Sequence, residues 1–598
     1  MAQSTLRLRG RLSSWLEPVN ASFDRVTHGS GRLLVMAVVV GAGVGLAAVA
    51  FRWLVTMATL IFTGTIDYSA TEGHPAHPWL PWLGGAFVIF APMVGGLIYG
   101  PLVHKFAPEA RGHGVPEVMY AISKRGGRIP GKVAIVKSLA SAITIGSGGS
   151  VGREGPIVQI GSALGSTLGR AVRMPESHLR TLVACGAAGA IAATFNAPIA
   201  GVFFALELLL RDFTARSFGV VVLSSVTASI VGRSLLGDEP FLTLPTFTIA
   251  DPSQFLLFAV LGLLAGLTGV GFTKVLYAVE DLCNWAWRGP EWLRPGVGGL
   301  LLGLLLFALP QMYGVGYPVL EKGVQGGYAL GFLVLLLVGK VVATSLTIGI
   351  GGSGGVFAPS LFIGAMLGAA FGQLAGAMFP VFAGQTGTFA LVGMGAVFAG
   401  ATRAPITAAI ILFELTGEYS IILPLLLAVV IATSVSRVLS TDTIYTLKLR
   451  RRGVNVDGGP GGILLHSTLV REVMTEAPAA VSSRLTAAEG ARMLLSSGQR
   501  ALPVAHAAGE FIGIVTVAAI SDALSNDDDA SSLTLSTLID VPQNAHPDTT
   551  LDTVLDSVLA ANESGGIPVI DSAGMLQGWL TPDAVLRTLT GKPLNQPA

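Results

Sequence analysis

The amino-acid sequence predicts a mostly α-helical membrane protein built from two related halves, followed by a smaller α/β domain. Three observations support this prediction: an apolar composition, a repeat of glycine-rich motifs, and a more polar pattern after residue 453. Of the 598 residues, 51% are hydrophobic, only 12% are charged and 77 are glycine. The mean hydropathy of +0.67 is that of an integral membrane protein embedded in the lipid bilayer.

Apolar runs recur along the first 450 residues. A transmembrane helix needs about 20 apolar residues, and several runs are shorter or rich in glycine. We therefore expect tilted, broken and partly re-entrant helices, whose irregular backbone lines a protein or water-filled interior. The predicted runs are 33–57, 83–104, 181–210, 219–236, 255–279, 297–310, 328–350, 359–382, 388–415 and 420–437.

Motifs of the first half return in the second half in the same order. The stretch GSGGSVGREGPIVQIG at 146–161 returns as GIGGSGGVFAPSLFIG at 349–364, a shift of 203 residues. GHGVP at 112–116 returns as GVGYP at 314–318, a shift of 202. Repeated halves with glycine- and proline-interrupted apolar segments indicate a transporter or channel whose site lies where the interruptions meet.

Basic residues flank the apolar region. Five arginines precede the first run, and the cluster RRR at 450–452 follows the last one. By the positive-inside rule, both termini are expected in the cytoplasm with an even number of crossings. Abundant alanine and glycine favour a bacterial inner membrane. The predicted divisions are a cytoplasmic segment 1–32, a transmembrane domain 33–450 with halves of about 33–240 and 250–450, a linker 451–467 and a cytoplasmic domain 468–598.

Other function classes find little support in the sequence. Cys185 and Cys283 are the only cysteines, and both lie in apolar contexts, so neither disulfides nor a cysteine metal site is expected. A net charge of +1 without a solvated basic stripe gives no case for nucleic acid. Without an HExxH helix, a GxSxG nucleophile elbow between a strand and a helix, or clustered metal ligands, we expect no enzyme activity, no catalytic residues, no metal site and no cofactor.

The tail repeats internally. A shift of 65 residues maps GIVT at 513–516 onto GWLT at 578–581. The tail resembles a tandem pair of CBS domains, at about 468–528 and 532–590. In that family, a Thr or Ser followed three residues later by Asp binds the ribose of adenine nucleotides.

Here the candidate nucleotide-binding residues are Thr516, Thr581 and Asp583, but alanines stand at the acidic positions and Asp583 lies one residue early. This departure favours a structural dimerisation and trafficking module over a nucleotide sensor.

The membrane motifs also point to a family. GHGVPE at 112–117, GSVGREGP at 149–156, GGVFAP at 354–359 and Tyr445, in this order, resemble the CLC family of chloride channels and proton-coupled chloride antiporters. The resemblance covers about 33–450. It implies an inverted repeat of tilted and broken transmembrane helices, a homodimer with one anion pore in each subunit, and transport of chloride and other small anions, with or without protons.

The three glycine-rich motifs suggest an anion path on physical grounds as well. Each places glycine close before proline, at a predicted helix start. Helix N-termini present free N–H groups and a partial positive charge, and glycine lets an ion approach closely. The alternative is that the glycines only permit close helix packing. The candidate anion-binding residues are His113, Gly114, Arg153, Gly155, Gly355, Val356, Phe357, Ala358 and Tyr445.

Glu154 is the candidate gate. A carboxylate in an apolar segment is costly unless it is protonated, paired or functional. The resemblance implies that its ionised side chain competes with the anion and swings away when protonated. A static ion pair with Arg153 is the alternative. The resemblance further implies that the backbone amide of Phe357 and the hydroxyl of Tyr445 coordinate the central anion.

Two positions depart from the family pattern. Chloride-preferring members usually have Ser where this chain has His113, whose imidazole has a reference pKa near 6.5 and so predicts altered selectivity or acid-stimulated flux. The alternative is that the ring turns away and caps a loop. Leu208 occupies the inner proton-relay position, and leucine cannot carry a proton. The sequence therefore favours a channel or weakly coupled transporter, with proton-coupled antiport by a non-standard inner route as the alternative.

Two further pairs relate the halves. Glu207 and Glu414 align at a shift of 207 residues, which predicts structural roles for both, bonding backbone at broken helix ends. Lys137 and Lys340 align at a shift of 203. They either raise the anion potential near the pore loops or cap backbone carbonyls.

Overall fold

The computed structural model describes residues 30–71, 75–237, 252–382, 384–454, 465, 468–506, 509–526, 533–561 and 564–590. Nearly all of the predicted N-terminal segment 1–32 and most of the predicted linker 451–467 lie outside these residues. The chain divides into two compact units, Met1–Val454 and Asn455–Ala598.

The first unit is helical, as its composition predicts. The helices of its first half are α1 (Ser30–Thr63), α2 (Phe87–Phe106), α3 (Val115–Lys124), α4 (Lys132–Gly146), α5 (Glu154–Ala171), α6 (Glu176–Phe195), α7 (Pro198–Phe204) and α8 (Ala215–Leu236). A π-helical turn, Ala205–Leu210, continues α7.

The second half repeats this order, and the helices that follow the repeated motifs begin at the shifts of those motifs. For example, α13 begins 203 residues after α5, and α15 begins 207 residues after α7. The helices are α9 (Gln254–Ala286), α10 (Arg294–Ala308), α11 (Tyr317–Val324), α12 (Leu330–Gly349), α13 (Phe357–Met378), α14 (Thr386–Thr402), α15 (Pro405–Thr416), α16 (Ile422–Leu439) and α17 (Thr446–Arg451).

Eight helices in the described part are long and apolar enough to cross a membrane, and four apolar helices are shorter. Three of the short ones arise where apolar runs break, as expected. The predicted run 181–210 is two helices, because Asn196 adopts a left-handed conformation (φ 58°) just before Pro198. The run 388–415 breaks in the same way at Arg403 (φ 56°) and Pro405.

Glycine pairs bring the helices of each half into close contact. A Cβ added to Gly161 on α5 would lie 2.3 Å from the carbonyl oxygen of Gly186 on α6. The equivalent pair, Gly364 on α13 and Gly393 on α14, gives 2.4 Å. These glycines serve helix packing, as small residues do in membrane proteins.

The second unit contains two similar α/β halves. The strands β1 (Val481–Ser482), β2 (Ala501–Ala505) and β3 (Phe511–Thr516) form one sheet, in which β1 and β2 are parallel and β2 and β3 antiparallel. The strands β4 (Ile567–Ile570) and β5 (Leu576–Leu580) form an antiparallel pair. The helices are α18 (Val470–Val473), α19 (Ala487–Ser497), α20 (Val517–Asn526), α21 (Leu551–Ala560) and α22 (Pro582–Thr590).

Candidate functional site

Backbone hydrogen bonds join the glycine-rich loops of the two halves. Gly152 and Gly355 exchange two bonds, with N···O distances of 2.8 and 2.6 Å. Gly112 donates to the Gly352 carbonyl (3.2 Å) and accepts from the Gly354 amide (3.3 Å). The loops before α3, α5 and α13 therefore meet at one point inside the first unit.

Side chains reinforce this junction with matching bonds from each half. The Ser150 amide donates to Thr347 Oγ1 (3.2 Å), and the Ser353 amide donates to Thr144 Oγ1 (3.3 Å). Each residue lies 203 positions from its counterpart. The repeat is thus a structural symmetry, in which each half satisfies the polar backbone of the other.

Lys137 and Lys340 also play equivalent parts. Lys137 Nζ donates to the Gly112 carbonyl (2.7 Å), and Lys340 Nζ donates to the Gly314 carbonyl (3.2 Å). Both side chains are fully buried. Of the two roles that the sequence allows, the structure supports the capping of loop carbonyls.

Glu154, the predicted gate, is the first residue of α5 and is fully buried. Its Oε1 accepts a short hydrogen bond from the Tyr317 hydroxyl, and its Oε2 lies 3.4 Å from the donating amide of Ala358. Arg153 lies over the Tyr317 ring, 5.3 Å from its centroid. The carboxylate thus sits at the N-terminus of α13, where backbone N–H groups and the helix dipole favour a negative charge.

Three glycines are required for this arrangement. A Cβ on Gly152 would lie 2.1 Å from Glu154 Oε2. A Cβ on Gly155 would lie 2.1 Å from the carbonyl oxygen of His113, and one on Gly114 would lie 2.6 Å from the Gly155 carbonyl oxygen. Gly114 also has a φ of 84°, which disfavours other residues. These positions need glycine because the loops approach so closely.

The backbone amides at the start of α13 are partly available. Those of Val356 and Phe357 have no hydrogen-bond partner among the described residues, and that of Ala358 binds Glu154. The Gly355 amide already donates to Gly152. The prediction of Gly355 as an anion donor therefore needs correction, because its donor is used to join the two loops.

His113 lies just before α3 and is 2% exposed. Neither ring nitrogen has a hydrogen-bond partner among the described residues. The ring lies 6.0 Å from the ring of Tyr277, whose hydroxyl donates to the Ile444 carbonyl (2.7 Å). The structure therefore gives no support to the alternative in which the imidazole caps a loop.

Tyr445 follows Ile444 directly and is 1% exposed. It lies close enough to Glu154 for an electrostatic interaction. The ring of Phe357 is buried against those of Phe195, Phe204 and Phe398, at centroid distances of 5.3, 6.4 and 4.4 Å. Phe357 therefore offers the site its backbone amide and an apolar wall.

Glu207 and Glu414 cap each other's half. Glu207 accepts hydrogen bonds from the amides of Ile406 (3.1 Å) and Thr407 (2.8 Å) at the start of α15. Glu414 accepts from those of Ile199 (2.9 Å) and Ala200 (2.6 Å) at the start of α7. This is the structural role predicted for both acids.

Leu208 lies beside Glu207 on the π-helical turn and is 6% exposed. Its apolar side chain has no titratable group at the position where the resemblance implies a relay.

A cavity of about 350 Å³ lies next to the predicted gate. The residues that matter for its chemistry are Arg52, Asp67, Arg153, Asn196, Arg233 and Tyr317. Glu154 is not among the lining residues, so Tyr317 and Arg153 separate the cavity from the carboxylate. We call this cavity the vestibule.

The candidate nucleotide-binding residues lie in the second unit. The hydroxyls of Thr516 and Thr581 accept hydrogen bonds from the amides of Ala519 (3.2 Å) and Ala584 (3.1 Å), at the starts of α20 and α22. Asp583 pairs with Arg587 at 2.9 Å, and its side chain is 71% exposed. These contacts belong to helix ends rather than to a ligand pocket.

Two family models match this chain. Residues 95–437 match the family model for voltage gated chloride channels. The chain belongs to this family. Residues 470–526 and 540–591 match CBS domains, so both resemblances seen in the sequence are confirmed. This CLC-family protein is thus a multi-pass membrane protein of chloride transport with a tandem CBS tail.

Individual relatives agree with this assignment. The H(+)/Cl(-) exchange transporter ClcA of Vibrio cholerae is 36% identical over 70% of this chain and 89% of its own. A putative chloride channel protein, ClcB-like, of Ralstonia nicotianae is 34% identical over 70% of this chain and 97% of its own. The structure of a slow cyanobacterial Cl-/H+ antiporter superimposes with a TM-score of 0.63 at 27% identity, covering 71% of this chain and 98% of that one.

Two residues near the candidate site of this CLC protein, Tyr317 and Arg52, were not predicted from the sequence. Tyr317 stands in GVGYP, but its counterpart in GHGVP is the apolar Val115, so the repeat gave no signal. Arg52 lies inside the predicted apolar run 33–57. A single charge in a long apolar run is a signal that would have identified it.

Proposed function

We propose that the protein is a proton-coupled chloride antiporter in which Glu154 is the gate. The observation that carries this proposal is the position of the Glu154 carboxylate, between the Tyr317 hydroxyl and the Ala358 amide. These donors suit any small anion at the N-terminus of α13. Glu154 therefore occupies, as a closed gate, a place that an anion needs on its way through.

Protonation of Glu154 couples the movement of protons to the movement of chloride. An ionised carboxylate is favoured at a helix N-terminus, whereas a neutral carboxyl loses that electrostatic attraction. A proton on Glu154 therefore releases the donors to chloride, and a returning carboxylate displaces chloride. A proton and a chloride ion compete in this way for one site, which is the basis for their exchange in opposite directions.

A central anion would be held deeper, by the amides of Val356 and Phe357, the Tyr445 hydroxyl and an N–H of neutral His113. These groups are buried, and the two amides and both imidazole nitrogens have no partner among the described residues. A neutral set of donors suits a transported anion, because full cationic side chains would bind it too tightly to release it.

The named relatives favour antiport over the passive channel that Leu208 suggested. ClcA and the cyanobacterial protein are both described as exchanging chloride and protons. We assign the inner half of the proton route to water in place of a side chain at position 208. A passive channel is the second candidate, favoured by Leu208 and by the name of the Ralstonia relative.

We further propose a homodimer with a pore in each subunit, in a bacterial inner membrane with both termini in the cytoplasm. In this proposal the protein performs no covalent chemistry, and its CBS pair is a structural module without bound nucleotide. The basic cluster at 450–452 marks the cytoplasmic side.

The test is chloride-driven proton movement in proteoliposomes under a fixed chloride gradient, with external pH recorded. Antiport predicts proton movement against its own gradient, abolished by a proton ionophore. Chloride efflux that needs no proton movement would instead support the channel.

A further inference from the structure

We propose that the vestibule is a second anion site, which holds a hydrated small inorganic anion in front of the closed gate, with Arg52 as its principal charge. This inference deepens the proposed function and rests on it for the nature of the ligand. It concerns a site distinct from the donors at the start of α13.

The first step is the position of Arg52 along α1. It follows Arg32 by twenty residues, which is about 30 Å of helix and matches the hydrocarbon thickness of a bilayer. Arg32 donates to the Val172 carbonyl (2.6 Å) near the C-terminal end of α5, whereas Arg52 lines the vestibule near the opposite face. With the N-terminus in the cytoplasm, the vestibule opens outwards.

The second step is the lack of a counter-charge. The Arg52 guanidinium has no hydrogen bond or ion pair with any residue that the structure describes, and the residue is exposed. Arg153 lies near enough to repel it. Because no counter-charge neutralises it, the Arg52 guanidinium is available to attract an anion into the vestibule.

The third step is the charge of the vestibule as a whole. Arg52, Arg153 and Arg233 line it against one carboxylate, Asp67. Asp67 Oδ1 already accepts hydrogen bonds from the Ser69 amide (2.9 Å) and hydroxyl (2.7 Å). The excess of positive charge in a concave, low-dielectric wall concentrates anions from solution.

The volume of the vestibule indicates that the anion there is hydrated. At about 350 Å³ the vestibule has room for roughly ten waters at about 30 Å³ each. A chloride ion there keeps most of its water, so the site attracts small anions by charge and does not select among them. Tyr317 lies between this anion and Glu154.

Arg52→Gln tests the site through the external chloride concentration that gives half-maximal flux. The measurement uses proteoliposomes selected for one orientation by an affinity tag on the C-terminal tail. At low ionic strength we expect this concentration to rise roughly five-fold, the effect of one charge about 4 Å from an anion in water. The maximal rate should stay unchanged, and nitrate should show the same factor.

Matched variants control for charge. Arg52→Lys keeps the charge and should give a half-saturating concentration close to wild type, and Asp67→Asn should lower it. An unchanged value in both Arg52→Gln and Asp67→Asn would overturn the proposal, as would an equal loss of maximal rate in Arg52→Lys and Arg52→Gln. The readout is chloride flux alone, so it holds its meaning even if no proton movement is found and antiport fails.

Discussion

The Tyr317 hydroxyl donates a hydrogen bond to the Glu154 carboxylate, and this bond joins the second half of the repeat to the proposed gate in the first half. Tyr317 begins α11, and Glu154 begins α5. Because the half-buried phenol supports the ionised carboxylate in the proposed closed position, opening of the proposed gate requires the loss of this bond.

Tyr317→Phe should therefore favour the open gate. A hydrogen bond to a charged group contributes about 1.5–3 kcal/mol, so we expect chloride flux near neutral pH to rise roughly ten-fold if opening limits the rate. Chloride efflux from proteoliposomes measures this.

Tyr313→Phe is the matched control. Tyr313 also lines the vestibule, but its hydroxyl donates to the Gly146 carbonyl (2.8 Å) and not to Glu154. Equal rates in wild type and Tyr317→Phe, or equal increases in both variants, would remove Tyr317 from the gate.

His113→Ser should change anion selectivity. The imidazole nitrogens have no partner among the described residues, and serine would replace them with a smaller hydroxyl donor. We expect the chloride-to-nitrate flux ratio to shift by several-fold, and any acid stimulation of flux to decrease. If the ratio and the pH profile both match wild type, His113 does not contact the anion.

Glu207→Gln and Glu414→Gln should behave alike. Each acid accepts two backbone amides at the start of a helix in the other half, so each change weakens two charge-assisted bonds, at roughly 1–2 kcal/mol in total. Both variants should unfold at a lower temperature and keep the wild-type ratio of chloride to protons. Loss of proton movement in Glu207→Gln alone would identify Glu207 as a proton relay.

Nucleotide should leave the CBS pair unaffected. Thr516 and Thr581 cap helices, and Asp583 pairs with Arg587 on the surface. We therefore expect millimolar ATP to cause no shift in the thermal unfolding of the full-length protein. A clear upward shift that Asp583→Asn removes would instead indicate a nucleotide sensor.

Much of the fold follows from the sequence, because the repeat is strong. The aligned motifs predict the equivalent helix starts. The two acids that lie in apolar segments, Glu207 and Glu414, are predicted to bond the backbone at broken helix ends. The sequence predicts that some apolar runs contain broken helices, but it does not predict where the breaks lie. Their positions depend on single residues in the left-handed conformation, such as Asn196 and Arg403.

The site was less predictable, because it depends on contacts between distant loops. No local pattern says that the Gly355 amide is used by Gly152, or that Tyr317 reaches Glu154 across 163 positions. Arg52 was hidden because averaging over an apolar run masks one charge. Leu208 predicts a channel, whereas ClcA and the cyanobacterial protein are described as exchanging chloride and protons.

The central claim is that the ionised Glu154 carboxylate closes the anion path and that its protonation opens it. The most direct measurement is the pH dependence of chloride flux in wild type and Glu154→Gln, in proteoliposomes of equal protein content. The account predicts that wild-type flux varies with pH, whereas Glu154→Gln conducts chloride at a rate independent of pH. A Glu154→Gln variant with the wild-type rate and pH profile would contradict it.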